Sequence, residues 1–440
     1  MSVTLSRFAD GQRSSSWSIF VALWMGQFVS WFGSELTGFA LAAWLYQRTN
    51  SATLVSLVWF STTFPDILIS PLSGTLIDRW RRKNALILSE AGAGLVTATI
   101  AVLAFADRLR PWHAIAFPAL IAVFASLQWP AFSAATTMLV PKEELGRANG
   151  MTQSGQAFAH LVAPAVAGNL LAGVGLWQLL LIDVSTYLFC LLVLVATKIN
   201  ADIDFVAIRP NGNSLTREIS EGWQYIRQRA GLRHLAMYFA AVNLGVGFVQ
   251  PLLTPLLLTF ASVRVLGYVM SAAGMAMLLG GILVSWTGGP HRRVDAVLTL
   301  TAIFGIGVFV CGLKASYVLI GIGVGIAFFC TPIIEASSQA VWQRKTPPEL
   351  QGRVFAIRKL IAVSGRPIGY LLAGPTADYL SVHGYGRFMA ALQHKLGHGR
   401  DWVFRFLFMI TGIVICLIAL AGILSRSLRN LETEIPDAIP

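Results

Sequence analysis

The stretch GTLIDRWRRKNALI, residues 74 to 87, lies between two long apolar runs and sets Asp78 beside Arg79, Arg81, Arg82 and Lys83. Elsewhere the 440-residue chain is sparing with charge: 12% of its residues are Asp, Glu, Lys or Arg, and 55% are hydrophobic. With a mean hydropathy of +0.65, it has too little polar surface to cover a water-soluble globule of this size. The chain belongs in a bilayer, and its charged stretch is a loop at a membrane face.

Working outward from that loop, windows of about 20 mostly apolar residues mark the spans. They fall near 18–46, 52–73, 84–106, 113–138, 150–173, 177–198, 234–259, 265–286, 294–313, 316–340, 355–377 and 402–425. The reading is an all-α membrane protein with twelve transmembrane helices in two six-helix halves. It predicts a cytoplasmic tail over 1–17, a first bundle over 18–199, a linker over 200–233, a second bundle over 234–425 and a second cytoplasmic tail over 426–440. No small-residue cleavage site follows the first apolar block, so that block reads as a span and not as a removable signal. Within the linker, Leu215, Ile219, Trp223 and Ile226 recur at helical spacing with arginines on other faces, which predicts an amphipathic helix in the membrane interface.

The formal charge of +12 is distributed in short clusters between apolar blocks. That pattern excludes nucleic acid as a partner and fits the inward loops of a membrane protein. Basic clusters follow spans 2, 4, 6, 8 and 10, so both termini are expected in the cytoplasm and the protein in the inner membrane. The four cysteines each sit inside an apolar run and read as small hydrophobes, not as a disulfide framework or a zinc site. The two halves also echo each other. Pro130 matches Pro332, the pair Gly146 and Arg147 matches Gly352 and Arg353, and Pro164 matches Pro367. Parallel repeats of this kind suit alternating access, in which two halves rock about a site near the midplane.

Residues 74–83 resemble the loop 2/3 signature of the major facilitator superfamily, G-x-L-x-D-R-x-G-R-K/R. The matches are Gly74, Leu76, Asp78, Arg79, Arg82 and Lys83, with Arg81 in place of a glycine. The loop, together with GSELTGFALAAWLYQRTNS (33–51), EISEGWQYI (218–226) and PPELQGRV (347–354), is similar to the drug and siderophore exporter branch that includes macrolide-efflux and enterobactin-exporter-like proteins. The resemblance implies that Asp78 contacts the N-terminal end of span 11 and latches the halves on the cytoplasmic side. Topology control by positive charge accounts for part of the role of Arg81 and Lys83. Span 5 resembles the antiporter signature, with Ala159 and Ala163 at glycine places, Pro164 retained and Gly168 from the final pair; close helix packing explains the same small residues. His160, one turn before Pro164, reads as a titratable group or as a hydrogen-bonded structural one.

Charges inside spans carry the expected chemistry, because each is costly in hydrocarbon. Glu35, near the middle of span 1, is placed to bind a proton, a cationic substrate, or each in turn. The resemblance sets spans 2 and 11 face to face, which predicts an ion pair between Asp66 and Arg366, about one helical turn apart in depth. Glu335 is a further proton or cargo ligand, and Gln128, Trp129, Asn243 and Gln250 are pocket residues. Glu90 is expected to pair with the basic loop, and Asp183 and Arg405 to reach the surface.

No phosphate-binding loop of the G-x-x-x-x-G-K-S/T kind occurs, and His394 and His398 read as a solvated loop without a carboxylate partner. No nucleophile elbow or paired His/Asp motif supports an enzyme. No cofactor is expected. The expectation is a secondary transporter that exports an amphipathic small molecule against proton entry, acting as a monomer. Its partners are the small-molecule substrate, protons and the lipid bilayer. A lipid flippase or uptake carrier of the same fold is the alternative.

Overall fold

Hydrocarbon leaves backbone N–H and C=O groups no partner outside the chain, so a segment that crosses it satisfies them within a helix. The computed structural model describes residues 2–77, 82–141, 144–197, 215–383 and 400–438, and all its regular elements there are helices. The first group is α1 (Ser2–Thr49), α2 (Ala52–Ile77), α3 (Arg82–Phe105), α4 (His113–Leu139), α5 (Leu145–Gly173) and α6 (Leu176–Ala196). They supply the first six expected spans. Then come α7 (Leu215–Gln228), α8 (Ala230–Val249), α9 (Leu253–Leu258), α10 (Val263–Thr287), α11 (Arg293–Leu313), α12 (Tyr317–Lys345), α13 (Pro348–Val363), α14 (Gly365–His383) and α15 (Asp401–Leu424). Two short turns, α16 (Arg426–Arg429) and α17 (Leu431–Glu434), follow.

Among the described residues, nine segments are long and apolar enough to cross a membrane. The expected spans outside that set are α1, α5 and α13–α14. Each trades apolar length for polar residues: Gln27, Ser30, Ser34 and Glu35 on α1, Gln156 and His160 on α5, and Arg358 and Arg366 on α13 and α14. Span 11 was expected as one rod. It is broken at Ser364, because Pro367 has no N–H to offer the Val363 carbonyl one turn earlier. Span 7 is likewise interrupted between α8 and α9, around Pro251.

The chain forms two compact units, Met1–Trp44 with Ser61–Arg209, and Leu45–Phe60 with Pro210–Pro440. In the first, α3 packs on α4 and α6, and Phe20, Leu23, Leu86, Phe132 and Leu194 form a core cluster. Outward residues stay apolar, with Leu95 71% exposed, as a lipid-facing surface requires. Gly33 brings α1 against α6: a Cβ there would collide with the Thr186 and Asp183 side chains.

In the second unit α11 packs between α12 and α15, and α8 packs on α14. A Cβ at Gly247 would lie 2.5 Å from the Arg366 carbonyl oxygen, so the small residue fixes how closely α14 approaches. The start of α2 belongs here. Asp378 of α14 accepts hydrogen bonds from Ser51 Oγ at 2.8 Å and from the N–H groups of Ala52 at 3.0 Å and Thr53 at 2.9 Å. A carboxylate from another helix thus caps α2.

The amphipathic α7 is present, and its apolar side turns into the second unit. Ile226 is fully buried and Tyr225 nearly so, in one cluster with Trp342 and Val354. The Tyr225 hydroxyl donates to the Lys345 carbonyl at 2.6 Å, while Trp223 stays exposed. The side chains of Leu215 and Ile219 lie outside the described residues. Beside this patch the C-terminal segment docks: Lys345 bonds to Asp437 at 2.9 Å, and the Ala438 N–H donates to the Arg344 carbonyl at 2.7 Å.

Candidate functional site

In the first unit, α1, α3, α4, α5 and α6 enclose a cavity of about 240 Å³ lined by Trp31, Ser34, Glu35, Gln128, His160 and Tyr187, among others. The small residues expected in span 5 prove to be its packing face: Gly155, Ala159, Ala163, Pro164 and Gly168 are buried. Ala163 packs with Leu36 and Ala40 of α1 in one cluster. That close approach sets His160 Nδ1 3.3 Å from Glu35 Oε1. Pro164 also withholds the N–H that would bond the His160 carbonyl, which leaves the helix one backbone bond short beside the pair.

Two further carboxyl groups stand behind the cavity wall. Glu90, fully buried on α3, accepts from Gln27 Nε2 at 3.0 Å, from Ser30 Oγ at 2.8 Å, and from Gln128 Nε2. The expectation that Glu90 pairs with the basic loop is therefore corrected, since neutral donors from α1 and α4 hold it inside the bundle. Asp183 was expected to reach the surface. Instead it is buried on α6 and accepts from Thr37 Oγ1 at 2.5 Å and Thr186 Oγ1 at 3.1 Å. The next residue along that face, Tyr187, shares a 2.9 Å hydrogen bond with Ser34.

The second unit holds a larger cavity of about 700 Å³, lined by α8, α11, α12, α13 and α14. Arg366 donates from Nε to Asn243 Oδ1 at 2.6 Å, and Asn243 in turn donates to the Phe239 carbonyl at 2.9 Å. Arg358, not singled out in the sequence, donates to Gln339 Oε1 at 2.7 Å and Ser338 Oγ at 3.1 Å. Its guanidinium also lies 5.3 Å from the Trp342 ring centre. Glu335, Lys359, Thr301 and Thr331 add to the polar lining. Gln250 lies apart from this group and accepts from the Tyr370 hydroxyl at 3.0 Å.

The remaining expected residues are dispersed. Asp78 and Arg79 lie outside the described residues, as do His394 and His398, while Gly74 falls in α2 and Arg82 opens α3. Lys83 donates to the Val195 carbonyl at 3.3 Å and the Thr197 carbonyl at 2.7 Å, so it caps the end of α6. Asp66 is exposed on α2. Trp129 pairs with Trp31, ring centres 6.4 Å apart. Arg405, expected to reach the surface, is buried instead, donating to the carbonyls of Gly312 at 3.1 Å and Leu313 at 2.5 Å.

Long helices, two compact units and cavities walled by helix faces define the class: a multi-pass membrane transporter. Residues 23–370 match the Major Facilitator Superfamily, and the chain belongs to that family. It is 25% identical over 430 residues to a macrolide efflux protein A of Streptococcus pyogenes, covering 96% of this chain and 100% of that protein. It is 27% identical over 353 residues to a multidrug efflux pump Tap of Mycobacterium tuberculosis, covering 77% of this chain and 83% of the relative. Among solved structures, the nucleoside transporter NupG superposes with a TM-score of 0.68 at 12% identity, over 92% of this chain and 98% of that one. A bacterial homologue of the human lysosomal transporter Spinster, inward-facing and unoccupied, gives a TM-score of 0.68 at 13% identity over 92% and 96% of the two chains. The fold is shared with both.

Proposed function

We propose that the chain is an inner-membrane exporter that moves an amphipathic small molecule outward in exchange for protons, as a monomer with both termini in the cytoplasm. The observation that carries this reading is the Glu35–His160 pair on the wall of the first cavity. The pair bridges α1 and α5, so adding or removing a proton at this contact changes which packing of the two helices is favoured. That dependence on protonation is the physical basis of coupling. The efflux proteins that resemble this chain support drugs as the cargo class and export as the direction. The protein acts by moving its substrate unchanged and not by altering it. Gly74, Asp78, Arg79, Arg82 and Lys83 serve as the inner latch, Pro164 and Gly168 shape the moving helix, and Asp66 pairs with Arg366 in one state of the cycle.

The test uses everted membrane vesicles energised by respiration and a panel of amphipathic drugs. Accumulation that a protonophore abolishes is expected for the wild type. Glu35→Gln should lose it while remaining inserted and monodisperse; full proton-driven uptake by that variant would falsify the assignment. A charge swap of Asp66 and Arg366 should restore flux lost in either single reversal, and failure to do so in well-inserted protein counts against the pairing.

A further inference from the structure

The larger cavity has a charge balance of which the transport reading uses Arg366 alone, as the partner of Asp66. Three of its lining side chains are cationic, Arg358, Lys359 and Arg366, and a single one, Glu335, is acidic. Charged groups at membrane depth are ordinarily matched by an opposite charge. Here the bonds to the arginines come from neutral groups: Asn243 for Arg366, and Gln339 with Ser338 for Arg358. Among the described residues neither arginine lies within ion-pair distance of a carboxylate. Glu335 lies within electrostatic reach of both arginines, and as one negative charge it leaves the wall net positive.

Geometry sharpens the charge argument. The Asn243 bond takes the Nε of Arg366 and holds the head in place, so the two terminal nitrogens form a fork with no bond among the described residues. A planar fork of N–H donors matches the two oxygens of a carboxylate, sulfonate or phosphate. The backbone behind it is fixed by the close approach of Gly247 to the Arg366 carbonyl. Phe239, Phe304, Phe355 and Trp342 line the same cavity and offer an apolar body its contacts.

We infer that this cavity takes the anionic headgroup of an amphipathic cargo on Arg366 and Arg358, with the apolar part of the molecule against the aromatic wall. The inference rests on the transporter reading and narrows the cargo to amphiphiles that carry a carboxylate, sulfonate or phosphate. Among the described residues Glu335 makes no ion pair with either arginine, so the fork stays open to an arriving anion.

The experiment uses purified full-length protein in nanodiscs and three probes with one apolar body: pyrenebutyrate, pyrenebutanol and pyrenebutyl-trimethylammonium. Binding is read by fluorescence anisotropy. The anion is expected to bind about tenfold more tightly than the alcohol, the scale of one added charge-assisted contact, with the cation weakest. Arg366→Gln should bring the anion to the affinity of the alcohol. Arg366→Lys, which keeps the charge without the fork, should fall between. Should Arg366→Gln not fold, the ranking on the wild type and its weakening by salt decide the matter. Equal affinities, or a cation that binds best, overturn the anion assignment and leave proton-driven drug uptake standing. Loss of that uptake with the anion preference intact tells against the exporter reading alone. Competition by phosphatidylglycerol in the nanodisc identifies a lipid headgroup as the source of the anion, whereas its absence with the preference retained identifies a soluble amphiphile.

Discussion

His160 Nδ1 of α5 stands 3.3 Å from Glu35 Oε1 of α1, and both side chains line the cavity of the first unit. Two side chains that share one hydrogen bond work as a unit and not as two independent groups. Their mutational effects should then be strongly non-additive. Glu35→Gln and His160→Gln are each expected to cut proton-driven flux at least about tenfold, and the double variant should be no worse than either single one. Fluxes that multiply in the double variant would show two separate roles.

Glu90 anchors donors from three side chains, and its removal should be felt as instability. Glu90→Leu takes the acceptor from Ser30 and one of two acceptors from each of Gln27 and Gln128, at roughly 1–3 kcal/mol for a buried donor left unmet. Glu90→Gln keeps an acceptor and the volume, so it should cost less. Thermal unfolding in detergent, followed by loss of the monodisperse peak, ranks the variants. Equal melting of Glu90→Leu and wild type would remove the network from the account of stability.

Asp378 caps α2 with three hydrogen bonds. Asp378→Ala should cost about 0.5–2 kcal/mol, the usual range for a lost helix cap, and should speed hydrogen exchange at the Ala52 and Thr53 amides. Asp378→Asn keeps an acceptor and should fall between. Unchanged exchange at those amides in the alanine variant would mean that the helix start is held by other contacts.

The docked C-terminal segment should respond to acid. Hydrogen bonding from Lys345, followed by that from Arg344, holds the Asp437 carboxyl below the usual aspartate range. A carboxyl with a depressed folded-state pKa lends its stabilisation above the ordinary value, near 4, and loses it as pH falls through the lowered one. The share of docking that Asp437 supplies is therefore complete at neutral pH and lost only in acid, below that lowered value. Asp437→Asn should mimic the release at pH 7, seen as faster exchange of the Ala438 amide. Protection equal to wild type would assign docking to Glu432 and the backbone instead, since Glu432 accepts from the N–H groups of Arg293 and Val294.

The bilayer, the spans and the family were legible because hydropathy summed over 20 residues is a strong signal and the loop motif is local. The partners of the buried charges were not, since they depend on helix-to-helix approach. Glu35 stood out as a rare charge, yet His160 became its partner only through the small face of α5. Glu90 was misread from its nearness to a basic loop. Gln27 and Ser30, three apart on one face of span 1, were the available sign of a polar partner inside the bundle. Arg358 was missed because an arginine near the start of a span ordinarily reaches for the interface. The acceptors Ser338 and Gln339 on α12, beside Trp342, mark where its head is held.

The bond from the Tyr225 hydroxyl to the Lys345 carbonyl decides where this polypeptide can be severed. Two separately expressed fragments should reassemble when the cut falls ahead of Leu215, because the second fragment then carries its own lid over Trp342 and Val354. A break just after Arg229 would hand that lid to the wrong piece and bare a greasy patch to water, inviting aggregation before the partners meet.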